Sequence, residues 1–130
     1  MLNTSLARKG ILIMALACFL LSVGCPGMWK KRGEDPWTTG DTVRQVLGIG
    51  LLALDWNQTR QNAGDPRYNE QNLILGDRPS RGRVDIYFPI SAIIGTAFAT
   101  QLKKPYRQMF QYGLIGVEGY CVYNNHENGW

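Results

Sequence analysis

Two acidic residues, Asp55 and Glu118, stand in otherwise uncharged surroundings and are the side chains of this sequence best placed to do chemistry. Asp55 follows the charge-free run 46–54, and Glu118 interrupts the run 108–125, which carries no other charge. An ionised carboxylate in apolar surroundings costs several kcal/mol, so each must meet a cation, a wet cavity or a proton. Arg44, Arg60 and Arg83 are the arginines expected to supply a partner. The pair is therefore expected either to fix helix register against an arginine or to form a candidate intramembrane polar site for a proton, an ion or a ligand.

An acid/base reading of the same pair lacks support around it, because hydrolytic sites add a histidine, a metal cluster or a third carboxylate at defined spacing. The one histidine, His126, lies in a polar stretch with Asn124, Asn125, Glu127 and Asn128, and no CxxC or zinc spacing occurs. There is no GxSxG, no HExxH and no phosphate loop. "GIG" at 48–50 lacks both a preceding strand and a third glycine, so Gly48 reads as helix packing. The expectation is a protein that is not an enzyme and holds neither metal nor cofactor. From Pro26 onward twelve Lys/Arg face ten Asp/Glu, a net charge of +2 that gives no nucleic-acid signature.

The elements that must carry these residues begin with the N-terminus. Arg8 and Lys9 precede fourteen uncharged residues, 11–24, which suits a signal-peptide core and falls short of the roughly 20 residues a permanent span needs. Gly24 before Cys25, with Pro26-Gly27 after it, resembles a lipoprotein processing site, although Ser22 stands where an aliphatic residue is usual. Cys18, preceded by Ala15-Leu16-Ala17, is a competing site with a shorter core. An uncleaved N-terminal anchor running toward Met28 and Trp29 is the other reading. If Cys25 carries lipid, Cys121 is left alone and reads as a small buried apolar residue.

Residues 25–40 read as a linker, broken by Gly33, Pro36 and Gly40. A helix capped by Asp41 is expected to about Asn62, with Gly48, Leu51, Leu52, Asp55, Thr59 and Asn62 on one stripe that faces protein. Residues 63–83 read as a surface loop in which Tyr68, Leu73, Ile74 and Leu75 pack on the helix ends. A second helix, capped by Ser80, runs to Leu102 through Pro89; its charge-free part, 86–102, is at the short limit for a span. Ser91, Gly95 and Ala99 form a small-residue stripe for close helix packing. A third helix, from Tyr106 to Asn124, repeats Gly113, Gly116 and Gly119. Each glycine costs a helix about 1 kcal/mol relative to alanine, so close packing is expected around them. Residues 125–130 read as a polar tail. The expected fold is thus all-α: three short, glycine-rich, closely packed helices in 41–124, after an N-terminal signal or anchor helix in 1–24.

The segments "DWNQTRQ" (55–61), "YNEQNLILGDRPSRGRVDIYF" (68–88) and "YRQMFQYGLIGVE" (106–118) resemble a pattern found in small uncharacterised membrane proteins and lipoproteins of Gram-negative bacteria and their phages. The resemblance spans roughly residues 43–124 and implies envelope location without implying an activity. Arginines in 60–83 and cations at Lys103, Lys104 and Arg107 fall on opposite sides of any simple membrane crossing, against the positive-inside tendency. A lipid-anchored protein lying on a leaflet escapes that conflict. The sequence therefore leads to two expectations: a membrane-anchored protein of the bacterial cell envelope, of host or phage origin, that binds membrane lipid and an envelope protein partner; or a membrane-active homo-oligomer resembling a holin-like lysis or superinfection-exclusion protein.

Overall fold

The computed structural model describes residues 26–31, 33–67, 74–76 and 78–129. Cys25 and the expected signal or anchor segment lie outside the described residues, as do Tyr68 and Leu73. A 3-10 turn at Pro26–Met28 leads to three helices: α1, Thr39–Asn62; α2, Arg81–Gln101; and α3, Lys104–Glu127. No strand occurs among the described residues, where an isolated antiparallel bridge joins Trp29 to Leu102. The all-α expectation of three packed helices holds. Among the described residues no helix is long and apolar enough to cross a membrane, so α2, at the short limit by charge count, falls below it by hydropathy.

Each helix start has a local cause. Thr38 is the N-cap of α1: its hydroxyl accepts from the Asp41 amide at 3.2 Å, and Asp41 accepts from the Thr38 amide at 2.9 Å, a reciprocal capping box. Asp41 is thus the third helical residue rather than the cap expected of it. Ser80 caps α2 as expected, accepting from the Arg83 amide at 3.3 Å. α3 opens on Lys104-Pro105, where a missing amide costs a helix nothing. It continues to Glu127, past the expected end at Asn124. Half of the supposed polar tail is therefore helix, and Asn125 is buried.

α1 and α3 run parallel, since Gln111 bonds Gln45 while Asn125 bonds Asp55 further along both helices. α2 runs antiparallel to α1, with Gln45 bonded to Thr96 at one end and Trp56 bonded to Asp85 at the other. The expected linker is partly built into the bundle. Lys30 donates its amide to the Gln101 carbonyl at 3.0 Å, Lys103 donates to Met28 at 2.9 Å, and the Trp29 ring meets Phe98 edge-on, which in turn meets Phe110. A small apolar core of Leu52, Ala63, Leu75, Val84 and Phe88 closes the opposite end, with Trp56, Tyr87 and Ala92 against it. Leu75 packs as expected of the 63–83 loop, whereas Ile74 is exposed.

Candidate functional site: the polar seam between α1 and α3

The residues that α1 turns inward are Asp41, Gln45, Gly48, Leu52 and Thr59, with half-buried Asp55 in the same series. Their spacing alternates four and three residues, the repeat of a coiled-coil seam, yet most are polar. The facing side of α3 has the matching series Arg107, Gln111, Leu114, Glu118 and Asn125. Polar groups therefore occupy the positions where such a seam ordinarily places aliphatic ones. Meanwhile Val43, Val46, Leu47 and Leu54 on α1, Ile86, Ile90, Ile93 and Ile94 on α2, and Met109 on α3 are exposed, Met109 by 70% and Ile93 by 69%.

At one end of the seam Asp41 and Arg107, each with a fully buried side chain, meet at 3.1 Å. Arg44 reaches the other Asp41 oxygen at 2.6 Å and donates from Nε to Gln111 at 3.1 Å. Gln111 donates to the Asp41 carbonyl and to Gln45 Oε1, and Gln45 donates to Thr96 of α2 at 3.0 Å. Arg107 also donates to the carbonyls of Leu102, Asp35 and Pro36 and lies 5.4 Å from the centre of the Trp37 ring. Burial, the largest influence on Asp41, would raise its pKa. Hydrogen bonds from the Thr38 amide and hydroxyl and from Arg107 and Arg44 outweigh it and hold the carboxyl far below the usual range.

At the other end the structure gathers Asp55, Glu118, Asn125 and Gln58. Asn125 donates to Asp55 at 2.6 Å and to Gln58 at 3.4 Å, and Gln58 donates to the Val122 carbonyl. Glu118 Oε2 is buried and has no hydrogen-bond partner among the described residues. Burial, and then the negative charge of Asp55, push its pKa up to about 8. At neutral pH Glu118 is therefore mainly a neutral acid, the state that burial and a neighbouring negative charge favour. The expected arginine partners are occupied elsewhere: Arg44 on Asp41, Arg60 on Asp85 at 2.8 Å, and Arg83 on the Ile74 carbonyl. What this group can do is hold and release a proton close to neutrality. Among the described residues no cluster of three metal-binding side chains accompanies it.

The expected packing glycines divide into two sets. A Cβ on Gly48 would stand 2.8 Å from Leu114 Cδ2, so α1 and α3 approach closely there. Gly95 faces Phe110 and Gly119 faces Leu51, both at ordinary contact distance, and Ala99 is buried; Ser91 is half-buried on the same helix. Gly113 and Gly116, by contrast, point outward and meet nothing within 4 Å, which corrects the expectation of close packing around them inside this chain. They share the outer face of α3 with exposed Met109, Tyr112, Tyr120 and Tyr123.

Sequence reasoning singled out Asp55 and Glu118, took Asp41 for a helix cap and Arg107 for one of a group of cations, and passed over Gln111 and Gln45. The available signal was the seven-residue repeat of the polar residues themselves, which a search for apolar periodicity does not register. Comparison with models of protein families, with curated proteins and with solved structures finds no match to this chain.

Proposed function

We propose that this chain is a small membrane-associated protein of a bacterial cell envelope, anchored by an acylated Cys25 after loss of residues 1–24. It acts by binding a membrane partner rather than by catalysing a reaction. The single observation behind this reading is where polarity sits: Val43, Val46, Leu47, Ile86, Ile93, Ile94 and Met109 are exposed, while Asp41, Gln45, Thr59, Arg107, Gln111 and Asn125 are buried beside only a small apolar core. In water such a surface is a liability, since contiguous exposed apolar area marks a site of association. Against lipid or a membrane partner it is satisfied, and interhelical hydrogen bonds take over the work of holding helices together. The resemblance to small envelope proteins of Gram-negative bacteria and their phages agrees with this reading.

Intact mass after extraction from membranes tests it. The expected mass is that of residues 25–130 plus acyl chains, and Cys25→Ser should leave the protein misplaced. A full-length mass would replace the lipoprotein by an uncleaved anchor. A protein freely dispersed, monomeric and indifferent to detergent would remove the membrane reading altogether.

A second reading, a membrane-active oligomer, is favoured by the outward face of α3, where Gly113 and Gly116 leave room for another helix to approach. It predicts dye leakage on expression that Gly116→Leu abolishes. Harmless expression counts against it.

A further inference from the structure

All the lysines that the structure describes, Lys30, Lys31, Lys103 and Lys104, lie at the end of the bundle where α2 turns into α3. The Trp29–Leu102 bridge and its two main-chain hydrogen bonds set the 30–31 and 103–104 pairs on either side of one short extended contact. Side chains alternate along extended backbone. Leu102 is buried and Trp29 lies on Phe98, so Lys30 and Lys103, both half-buried, lie on the opposite side; Lys31 and Lys104 beside them are exposed.

None of these lysines makes a salt bridge among the described residues, where all four ion pairs use arginine. The nearby carboxylates, Glu34 and Asp35, accept instead from the main-chain amides of Lys31 at 3.1 Å and Lys104 at 3.4 Å. α3 also begins here, with Lys103 at its N-cap position, and the Asp35 carboxylate faces the first helical amide, so the positive charge of the patch is that of the lysines alone. Cys25 precedes Met28 by three residues, a distance of at most about 11 Å along the chain.

We infer that the Lys30, Lys31, Lys103 and Lys104 cluster is a contact surface for the phosphate headgroups of an anionic phospholipid leaflet, seating the α2–α3 turn on the membrane beside the lipid anchor. This deepens the membrane reading above and rests on it. A basic patch beside an acyl anchor is the second of the two signals that turn reversible attachment into stable attachment. Each lysine held close to such a leaflet strengthens binding about fivefold. The arginines at the opposite end do not share the role: Arg60 and Arg67 are paired with Asp85 and Asp65, and Arg78 and Arg81 lie far along the bundle from the anchor.

The test is competition between two vesicle populations of different density, one of phosphatidylcholine and one also containing phosphatidylglycerol. Both are offered to the full chain as it comes from membranes, during detergent removal. The expected result is enrichment on the anionic vesicles at low salt of at least about fivefold, the contribution of a single engaged lysine, rising with each further lysine that engages. That enrichment should fade at high salt and vanish in the Lys30→Gln, Lys31→Gln, Lys103→Gln, Lys104→Gln variant, while Arg78→Gln with Arg81→Gln keeps it. An even distribution of the natural chain, enrichment indifferent to salt, or an equal loss in the arginine variant would overturn the lysine surface and leave the envelope reading standing. Protein associated with neither vesicle would overturn the envelope reading itself. The salt comparison uses the natural chain and so does not depend on how the variants fold.

Discussion

Asp41 and Arg107 meet at 3.1 Å with both side chains fully buried, and this contact ties the start of α1 to the start of α3. It also fixes the preceding segment, because the same guanidinium holds the carbonyls of Asp35 and Pro36. Breaking a buried pair by removing one partner costs about 3–5 kcal/mol, since the other charge is left uncompensated. Asp41→Asn is expected to destabilise by that order, and Arg107→Met by less, because Arg44 still reaches Asp41 at 2.6 Å. The double variant should lose less than the sum, because neither charge is then stranded. Urea unfolding followed by circular dichroism, in one fixed detergent, measures all three; strict additivity would show that the pair is not coupled.

Glu118 gives the protein a pH dependence of definite sign. Its folded pKa is raised from the ordinary 4.5 to about 8, so between those values the folded state binds more protons than the unfolded state. Stability from this group is complete below 4.5, falls as pH rises toward 8, and stays low above it. The slope reaches at most about 1.4 kcal/mol per pH unit. Glu118→Gln should flatten the urea midpoint between pH 5 and pH 8 and make the alkaline form more stable. A natural chain whose midpoint does not fall over that range would show that Glu118 is not desolvated.

Asp41 acts in the opposite sense. Its carboxyl is held below its ordinary value of 3.8, so its stabilisation is present above that pH and is lost on acidification below it. In the Glu118→Gln background, midpoints should be level above pH 5 and drop below pH 4, and Asp41→Asn should remove part of the drop.

Gly48 and Gly116 should respond oppositely to the same change. A Cβ at Gly48 lies 2.8 Å from Leu114 Cδ2 and 3.1 Å from its Cγ, so Gly48→Ala must displace Leu114. Overpacking of that kind costs about 1–3 kcal/mol, against a helix-propensity gain of about 1 kcal/mol. Gly116 meets nothing within 4 Å, so Gly116→Ala should simply gain the propensity. Equal shifts in unfolding midpoint would contradict the close approach of α1 to α3.

Thr38→Ala removes the hydroxyl that accepts from the Asp41 amide and donates to Asp41 Oδ2 at 2.8 Å. A lost N-cap costs about 1 kcal/mol. The larger consequence expected here is a higher Asp41 pKa, visible as an acid transition that begins at higher pH than in the natural chain.

Local sequence placed the three helices to within a few residues of their ends. Ser80 just ahead of the helical run 81–101, Pro105 just inside α3 and the Thr38/Asp41 pair are local signals, and local hydrogen bonding favours helix starts at such residues. It also located Asp55 and Glu118, because a charge in an uncharged run is conspicuous without a fold. Which face of each helix turns inward was settled by packing between the helices. Apolar residues lie on more than one side of every helix here, so periodicity admits several inward faces. The choice fell on the polar series from Asp41 to Thr59 because its hydrogen-bond partners stand on α3, some seventy residues away in sequence. Such pairing has no local trace, and neither does the outward turn of Gly113 and Gly116, which follows once Arg107, Gln111 and Asn125 have claimed the inner face.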